Sequence, residues 1–409
     1  ELSNMKKILS YLCFLAALFT SCSEEFVGQP ATSDTKPNPI VSCSVRNIPG
    51  GAVIYYKVPK DKDLLYVKCI YNRNGKECNS SASIYTDSLK VEGFPSENQQ
   101  KVRLYCIDRN NNVSDPVEVD IHPQIPPIRT IGETFKMDAA FGGVKLNWKN
   151  ETGSMMSFYF LARNEETNEM EVADIVYSNS KDGNYTLRGF NTDEREFWCY
   201  AKDYWNNYSD TIKGVYTPFY EKQVDSKGIK RVKLPADNIT DNGSWWLFEK
   251  MFDGKILESG GWHTYEPSKP ILFTIDLGAP TKLSRYIWWH VDPFMQHYNA
   301  KIWTMYGLKT AEELEAQRQE FKDDEDYWKE GFKSKWIKIM DCEAKTQSGS
   351  KSPTSDDINW AKNNGFPFDI PLDVEPVRYI RFWVQETWGS GKQCDMLMVS
   401  ELQFWGSQE

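Results

Sequence analysis

The stretch that decides the fold runs from Trp245 to Gly278. It ends in Phe273-Thr274-Ile275-Asp276-Leu277-Gly278, where apolar and polar residues alternate. Such alternation is typical of a strand with one buried face, and the closing glycine marks its end. Met251-Phe252-Asp253-Gly254-Lys255 lies near the start, and Trp262-His263-Thr264 lies in the middle. The stretch therefore predicts a turn followed by a core β-strand.

Two segments near the C-terminus predict further strands. Arg378 to Val384 places Ile380, Phe382 and Val384 on one side, and Ser400 to Gly406 is equally rich in apolar and aromatic residues. Short strands of this kind predict an antiparallel sandwich.

Together these segments resemble a discoidin-type jelly roll, the family of the coagulation-factor C domains and the galactose-binding-like carbohydrate modules. The resemblance rests on the Phe-Asp-Gly turn at 252–254, Trp262, the Ile-Asp-Leu-Gly at 275–278 and the two closing segments. It implies a discoidin-like, carbohydrate-binding domain over residues 235–409.

Residues 40–217 contain two copies of an internal sequence repeat. Val102 to Asp115 corresponds to Phe197 to Asp210, and a Gly-Gly turn precedes a strand earlier in each unit. Asp108 and Asp203 are 95 positions apart, about the length of one sandwich domain. The sequons at Asn112 and Asn207 are interpreted as turn chemistry.

The two units resemble fibronectin type III domains, which implies immunoglobulin-like sandwiches at 40–123 and 124–218 with a spacer role. The proline-rich segment 123–127 predicts a stiff connection between them. A linker at 219–234 leads to the C-terminal domain. The predicted fold class is all-β: two fibronectin-like sandwiches followed by a discoidin-like jelly roll.

The N-terminal residues have the pattern of a secretory signal. Met5-Lys6-Lys7 precedes an apolar run from Ile8 to Phe19, and Thr20-Ser21-Cys22 follows. This resembles the lipobox of bacterial lipoproteins, which implies a signal peptide at 1–21, lipid on Cys22 and a flexible tether at 22–39. The acidic Ser23-Glu24-Glu25 resembles a surface-export signal, which implies an outer-membrane protein that faces the cell exterior.

Composition and motifs argue against some classes of function and favour others. The net charge of -10 and the absence of a basic stripe in the sequence argue against nucleic acid as a partner. Aromatic residues make up 14% of the chain, with 15 Trp, and exposed rings are what sugar-binding sites use. The sequence carries no metalloprotease, nucleophile-elbow or phosphate-loop motif, although a pair of glycosidase carboxylates stays open. Because discoidin and fibronectin type III folds are seldom catalytic on their own, the resemblance implies that the chain is not an enzyme.

Nearly the full chain resembles a family of surface lipoproteins that accompany starch-utilisation-type outer-membrane importers. The resemblance implies a non-catalytic protein that captures glycan through its C-terminal domain, with polysaccharide and importer proteins as partners. The alternative is an interaction or adhesion subunit that docks on an importer or host protein and has no sugar site.

A sugar site pairs a flat aromatic face with a few polar groups. Trp262 and His263 are further loop candidates, although any single aromatic here is more often a core residue. The predicted sugar-binding residues in the loops of the C-terminal domain are Trp246, Tyr265, His290, Asp292, Phe294, His297, Tyr298, Glu386, Trp388 and Gln393.

Asp253 and Glu401 fall where the resemblance implies a structural calcium, which is held by oxygen ligands. Residues 256–261 displace the usual Ser or Thr after the turn. The other interpretation is that Asp253 caps the turn and Glu401 pairs with an arginine. No other cofactor is expected.

Two further features leave predictions open. Cys69 with Cys106, and Cys342 with Cys394, either form disulfides or are buried free thiols. A charged insertion from Thr310 to Lys335 predicts a helix, interpreted as a solvated decoration or a contact surface for a partner.

Overall fold

The computed structural model describes residues 35–256, 261–264, 270–291, 294–389 and 396–408. The predicted signal peptide, Cys22 and most of the tether lie outside these residues. Contacts between residues divide the chain into two compact units. The first extends to Lys136 and includes Asn147–Asn184 and Trp198–Lys213, and the second comprises Met137–Leu146, Tyr185–Phe197 and Gly214 onward.

The first seven strands form two antiparallel sheets. They are β1 (Ser42–Ile48), β2 (Gly51–Lys57), β3 (Leu64–Arg73), β4 (Lys76–Ser83), β5 (Ser88–Glu92), β6 (Gln100–Asp108) and β7 (Val117–Ile121). The sheet orders are β1-β2-β5 and β4-β3-β6-β7. Inward residues such as Ile54, Val67 and Leu104 are fully buried in one core, as the alternation along each strand requires.

The next seven strands follow a short helix, α1 (Pro127–Glu133). They are β8 (Lys136–Ala140), β9 (Gly143–Lys149), β10 (Met156–Arg163), β11 (Met170–Ser178), β12 (Asp182–Leu187), β13 (Arg195–Lys202) and β14 (Ile212–Tyr216). Their sheet orders are β12-β9-β8 and β11-β10-β13-β14, which is the same three-plus-four arrangement. The predicted repeat of two fibronectin-like sandwiches is confirmed.

The repeated Asn-rich stretch is a side-chain-capped turn. Asp108 Oδ1 accepts hydrogen bonds from the backbone N–H groups of Asn110 and Asn112, and Asp203 Oδ1 accepts from those of Trp205 and Asn207. Because each Asp fixes its own turn, Asn at these positions serves backbone geometry. This agrees with the interpretation of Asn112 and Asn207 as turn residues.

The remaining strands form the C-terminal jelly roll. They are β15 (Lys222–Gln223), β16 (Lys230–Val232), β17 (Trp262–His263), β18 (Ile271–Trp289), β19 (Ala300–Leu308), β20 (Ile337–Glu343), β21 (Phe366–Asp369), β22 (Val377–Thr387), β23 (Met398–Val399) and β24 (Glu401–Gln408). The main sheet has the order β15-β24-β18-β22-β19-β20, with β16 and β21 on β18, and β17 pairs with β23. The predicted opening strand is β18, and the predicted closing strands are β22 and β24.

Helical segments interrupt this domain. The α-helices are α2 (Ala311–Glu320), α3 (Glu325–Lys329) and α4 (Ser355–Asn364), and 3₁₀ turns lie at Ser226–Gly228, Phe248–Phe252 and Gly331–Ser334. Thr310 caps α2 through a capping box with Glu313, which explains where that helix begins.

The helical insertion is not a solvated decoration, and that interpretation was wrong. Its inner face carries Leu314, Trp328 and Phe332, which form a second core with residues of the main sheet. For this reason Thr274 and Arg381, polar residues on the predicted outer face of the sheet, are fully buried. The insertion covers a sheet face that alternation alone assigns to solvent.

The cysteines of the described residues are free thiols. Cys69 and Cys106 lie on the paired strands β3 and β6, but Cys69 faces Leu104 and Cys106 faces Val67. The predicted alternative of a Cys69–Cys106 disulfide is therefore wrong. Cys342 Sγ lies 2.8 Å from the Tyr286 hydroxyl, and Cys394 is outside the described residues.

Candidate functional site

Backbone hydrogen bonds bring three loops together at one end of the jelly roll. Trp388 N–H donates to the carbonyl of Asn299, and Met398 N–H donates to that of Tyr298. The buried Asn299 side chain also bonds both backbone groups of Val291, which fixes the loop between β18 and β19. These contacts place the segments around Tyr298, Trp388 and Met398 side by side.

His263 is the centre of an aromatic cluster at this end. Its ring stacks on Tyr298, with centroids 5.4 Å apart and planes at 18°, and Trp246 meets it edge-on at 5.7 Å. Asn242 Nδ2 lies 3.1 Å from His263 Nδ1. Burial lowers the pKa of His263, so the ring is neutral at neutral pH. Trp246 and Tyr298 remain half-buried, and His297 beside them is exposed.

Two predicted sugar-binding residues are in the core instead. His290 is fully buried, its Nε2 lies 3.0 Å from the carbonyl of Ala300, and its Nδ1 accepts from the N–H of Met295. Burial lowers its pKa to about 3, so the ring stays neutral. Phe294 is 2% exposed. Both assignments were wrong, because the loop turns inward at these residues.

Three predicted sugar-binding residues, Tyr265, Asp292 and Gln393, lie outside the described residues. Trp262, a further loop candidate, is a core residue: it is fully buried, and its Nε1 donates to Asp241.

Glu386 and Trp388, two of the predicted sugar-binding residues, lie where β22 ends, at the same end of the domain as Tyr298. Glu386 is exposed and its carboxylate lies 3.7 Å from the ammonium of Lys301. The same ammonium lies 5.4 Å from the centroid of the half-buried Trp388 ring. Lys301 therefore sits between a carboxylate and an aromatic ring.

A cleft of about 430 Å³ opens beside Trp388. We call it the lysine cleft; its lining includes Lys301, Glu343, Lys345, Thr346, Ser350, Lys351 and Trp388. It lies where β19 begins and where its two neighbours, β20 and β22, end, since Ile302 pairs with both Glu343 and Glu386. The cleft is not evident from the sequence, because only strand order brings Lys301 to Lys345 and Lys351, which lie 44 and 50 positions further along the chain.

The predicted calcium ligands lie next to each other. Gly254, in the left-handed region at φ 77°, donates its N–H to Glu401 Oε1 at 3.2 Å. Glu401 Oε2 is buried without a hydrogen-bond partner. Burial, reinforced by the charge of Asp253, raises the pKa of Glu401 to about 8. An uncompensated carboxylate oxygen beside a second carboxylate suits a calcium ion in chemical terms.

The other interpretation of Asp253 and Glu401, a turn cap and a partner of an arginine, holds for Asp253 alone. Asp253 Oδ1 does cap the turn, since it accepts from the N–H of Lys255. Among the described residues Glu401 forms no ion pair with an arginine. The described part of the chain holds no cluster of three or more His, Cys, Asp or Glu side chains arranged for a metal. A calcium here would need backbone carbonyl or water ligands in addition.

Three family models match the chain in succession. A domain of unknown function (DUF4959) matches residues 37–123, another (DUF5126) matches 124–227, and a third domain of unknown function (DUF5000) matches 252–406. A comparison with curated proteins gives no match.

Solved structures with a similar fold include a SusE-like protein, 25% identical, which covers 69% of this chain and 100% of its own with a TM-score of 0.41. A family 32 carbohydrate-binding module from Clostridium perfringens, in complex with galactose, is 10% identical over 45% of this chain and 98% of its own, with a TM-score of 0.29. A two-domain fibronectin type III segment of chicken tenascin is 10% identical over 44% of this chain and 99% of its own, with a TM-score of 0.23.

In the described ranges no helix is both long and apolar enough to cross a lipid bilayer.

Proposed function

We propose that this chain is a cell-surface protein that binds glycan, without cleaving it, at the loop end of its C-terminal jelly roll. One observation carries the proposal: Trp246, Tyr298 and Trp388, all half-buried aromatic residues, gather at one end of the domain with His263, His297 and Glu386 among them.

This arrangement has the chemistry of a sugar site. The C–H groups of a sugar ring pack on an aromatic face, while neutral imidazole and carboxylate groups bond its hydroxyls. His263 is 9% exposed and both of its ring nitrogens have partners, Asn242 Nδ2 and Met396 Sδ, so its role is to hold the stacked Tyr298 ring in place. A preordered ring loses little conformational entropy when a ligand binds.

The surroundings of the rim carboxylate, Glu386, support binding without cleavage. A glycosidase acid occupies an environment that keeps it protonated and works with a second carboxylate at a defined distance. Glu386 is exposed and ion-paired with Lys301, so it lacks the enclosed environment of such an acid.

The cellular setting is part of the proposal. Lipid on Cys22 would anchor the chain at the outer membrane, the tether at 22–39 would lead outward, and the two sandwiches would serve as spacers for a glycan-binding tip. Glycan captured there would pass to an outer-membrane importer.

We further propose that Asp253 and Glu401 hold a structural calcium. The buried Glu401 Oε2, which lacks a hydrogen-bond partner, supports this, because a divalent cation would compensate the charge that burial disfavours. Calcium would brace the turn at Gly254 against β24 and would take no part in contacts to sugar.

Affinity electrophoresis of the full chain in detergent tests the proposal. The gels would contain plant, host and microbial polysaccharides, neutral and acidic, one in each. We expect at least one polysaccharide to retard the protein, and Trp388→Ala and Tyr298→Ala to abolish the retardation while the circular dichroism spectrum stays unchanged. Absence of retardation across the panel, in a folded protein, would overturn the proposal and favour the interaction subunit.

A further inference from the structure

The lysine cleft lies at the loop end of the jelly roll, and the proposed sugar site gives its lysines no role. A volume of about 430 Å³ is typical of small-ligand sites, which range from about 300 to 1,000 Å³. Lys301 lies on β19, Lys345 and Lys351 lie in the loop that follows β20, and the Thr346 and Ser350 side chains of that loop add hydroxyl groups. Trp388 supplies the one aromatic ring of the lining.

The cationic groups of the cleft are weakly engaged. Lys345 lies 3.4 Å from Glu343 and is 72% exposed, and Lys301 lies 3.7 Å from Glu386. Exposed ion pairs of this length contribute little and exchange readily. Lys351 is exposed and forms no ion pair within the described part of the chain. The lining therefore carries three ammonium groups against the single carboxylate of Glu343, an excess of positive charge on a chain whose net charge is -10.

We propose that the lysine cleft binds the anionic substituent of an acidic glycan, the carboxylate of a uronic acid or a sulfate ester, whose sugar ring packs on Trp388. This rests on the proposed function and names the class of glycan. Lysine ammonium groups bind such anions as point charges with several hydrogen-bond donors. The Thr346 hydroxyl donates to the Ser350 carbonyl and keeps its lone pairs free to accept from sugar hydroxyls.

Substitution of Glu386 distinguishes a neutral from an anionic ligand by the direction in which the affinity changes. If the site takes a neutral sugar, the Glu386 carboxylate bonds hydroxyl groups, and Glu386→Gln weakens binding. If the site takes an anion, the carboxylate competes for Lys301 and repels the ligand, so Glu386→Gln strengthens binding by about two- to fivefold. The same substitution thus has opposite effects under the two hypotheses.

The experiment uses matched polymers and matched variants of the full chain. Polygalacturonate is compared with its fully methyl-esterified form, and chondroitin sulfate with unsulfated chondroitin, by affinity electrophoresis at low and physiological salt. The cleft variant is Lys345→Gln with Lys351→Gln. Its control is Lys57→Gln with Lys76→Gln, exposed lysines of the first sandwich, which changes the net charge by the same amount.

We expect retention by one charged polymer, loss on removal of its charge, and a roughly tenfold rise in Kd for the cleft variant but not for the control. Loss on methyl esterification assigns a carboxylate, and loss without sulfate assigns a sulfate ester. Two results would overturn the inference while leaving the proposed function intact: a Trp388-dependent glycan that binds the cleft variant normally, or weaker binding by Glu386→Gln. Preferential binding of a single-stranded oligonucleotide to the cleft would overturn it too. Failure of every glycan to bind would remove the proposed function itself.

Discussion

The backbone N–H of Gly254 donates a 3.2 Å hydrogen bond to Oε1 of Glu401, a carboxylate that is 1% exposed. This contact joins the turn at the start of the jelly roll to its last strand. It also places a carboxylate with a raised pKa in a position where its ionisation opposes folding.

The first prediction concerns pH. The folded pKa of Glu401, about 8, exceeds its unfolded value of 4.5, so the folded state binds the extra proton between these values. Stability from this group is fully present below pH 4.5 and is lost as pH rises toward 8. In chelator, Glu401→Gln should therefore lose less stability than the wild type between pH 5 and pH 8.5, by on the order of 2 kcal/mol. Thermal unfolding at the two pH values measures it.

Calcium should reverse this effect. Because a cation stabilises the ionised carboxylate, calcium should raise the unfolding temperature of the wild type more at pH 8 than at pH 5.5, and should leave Glu401→Gln unchanged. An equal calcium effect on both proteins would show that the ion binds elsewhere, and no effect on the wild type would remove calcium from the account.

A second prediction concerns Arg381. This fully buried guanidinium bonds Asp237 at 2.6 Å, Thr274 at 2.7 Å and the Trp328 carbonyl at 2.8 Å. Arg381→Met would leave Asp237 buried and unpaired, so we expect a loss of about 3–5 kcal/mol in the free energy of unfolding.

Urea unfolding measures that loss, and a double variant provides the control. Arg381→Met with Asp237→Leu removes both charges and should recover part of the stability, since the unpaired carboxylate is gone. Equal losses in the single and double variants would show that the hydrogen bonds to Thr274 and Trp328, rather than the charge pair, stabilise this core.

Sequence alone predicts the sheet better than it predicts what covers the sheet. Alternation assigns Phe273, Ile275 and Leu277 to the core, and they are buried. The same alternation assigns Arg381 to solvent, because period-two patterns carry no information on a distant insertion that packs on the second face. Trp328 and Phe332 in the insertion indicate that it packs on the sheet, since large apolar side chains are usually buried.

The candidate site was predictable only in part, for a similar reason. The sequence reveals the loop aromatics, because the segments that follow the predicted strands are rich in Trp, Tyr and His. Whether a loop turns inward, as at His290, depends on packing against Phe366, whose ring centroid is 4.4 Å away. The lysine cleft depends on the order of β22, β19 and β20 in the sheet, which no local pattern specifies.

A third prediction uses the repeat as its own control. Asn207 and Asn112 make equivalent bonds to Asp203 and Asp108, but Asn207 Nδ2 also donates to the carbonyl of Gly93 at 3.0 Å. Asn207→Ala should therefore destabilise the protein more than Asn112→Ala, by about 1 kcal/mol, because it leaves an additional buried carbonyl unpaired. Thermal unfolding of the two variants measures the difference, and equal losses would assign the whole effect to the turn.

A fourth prediction concerns thiol reactivity. Burial raises the pKa of Cys69 to about 12 and that of Cys106 to about 11, while Cys43 is exposed. Iodoacetamide should label Cys43 in the native protein and should reach Cys69 and Cys106 only after denaturation. Peptide mass spectrometry measures this. Detection of a Cys69–Cys106 disulfide peptide without reductant would contradict the free-thiol assignment.

Hydroxyl-radical footprinting with a polysaccharide that retards the protein tests the central claim most directly. If glycan binds the loop end of the jelly roll, oxidation of Trp388 and Tyr298 should fall when the polysaccharide is added. Tyr85 and Tyr204, which are 88% and 87% exposed on the sandwiches, should be oxidised as before. Unchanged oxidation of Trp388 and Tyr298, with protection of Tyr204 instead, would place the glycan on the sandwiches and contradict the account.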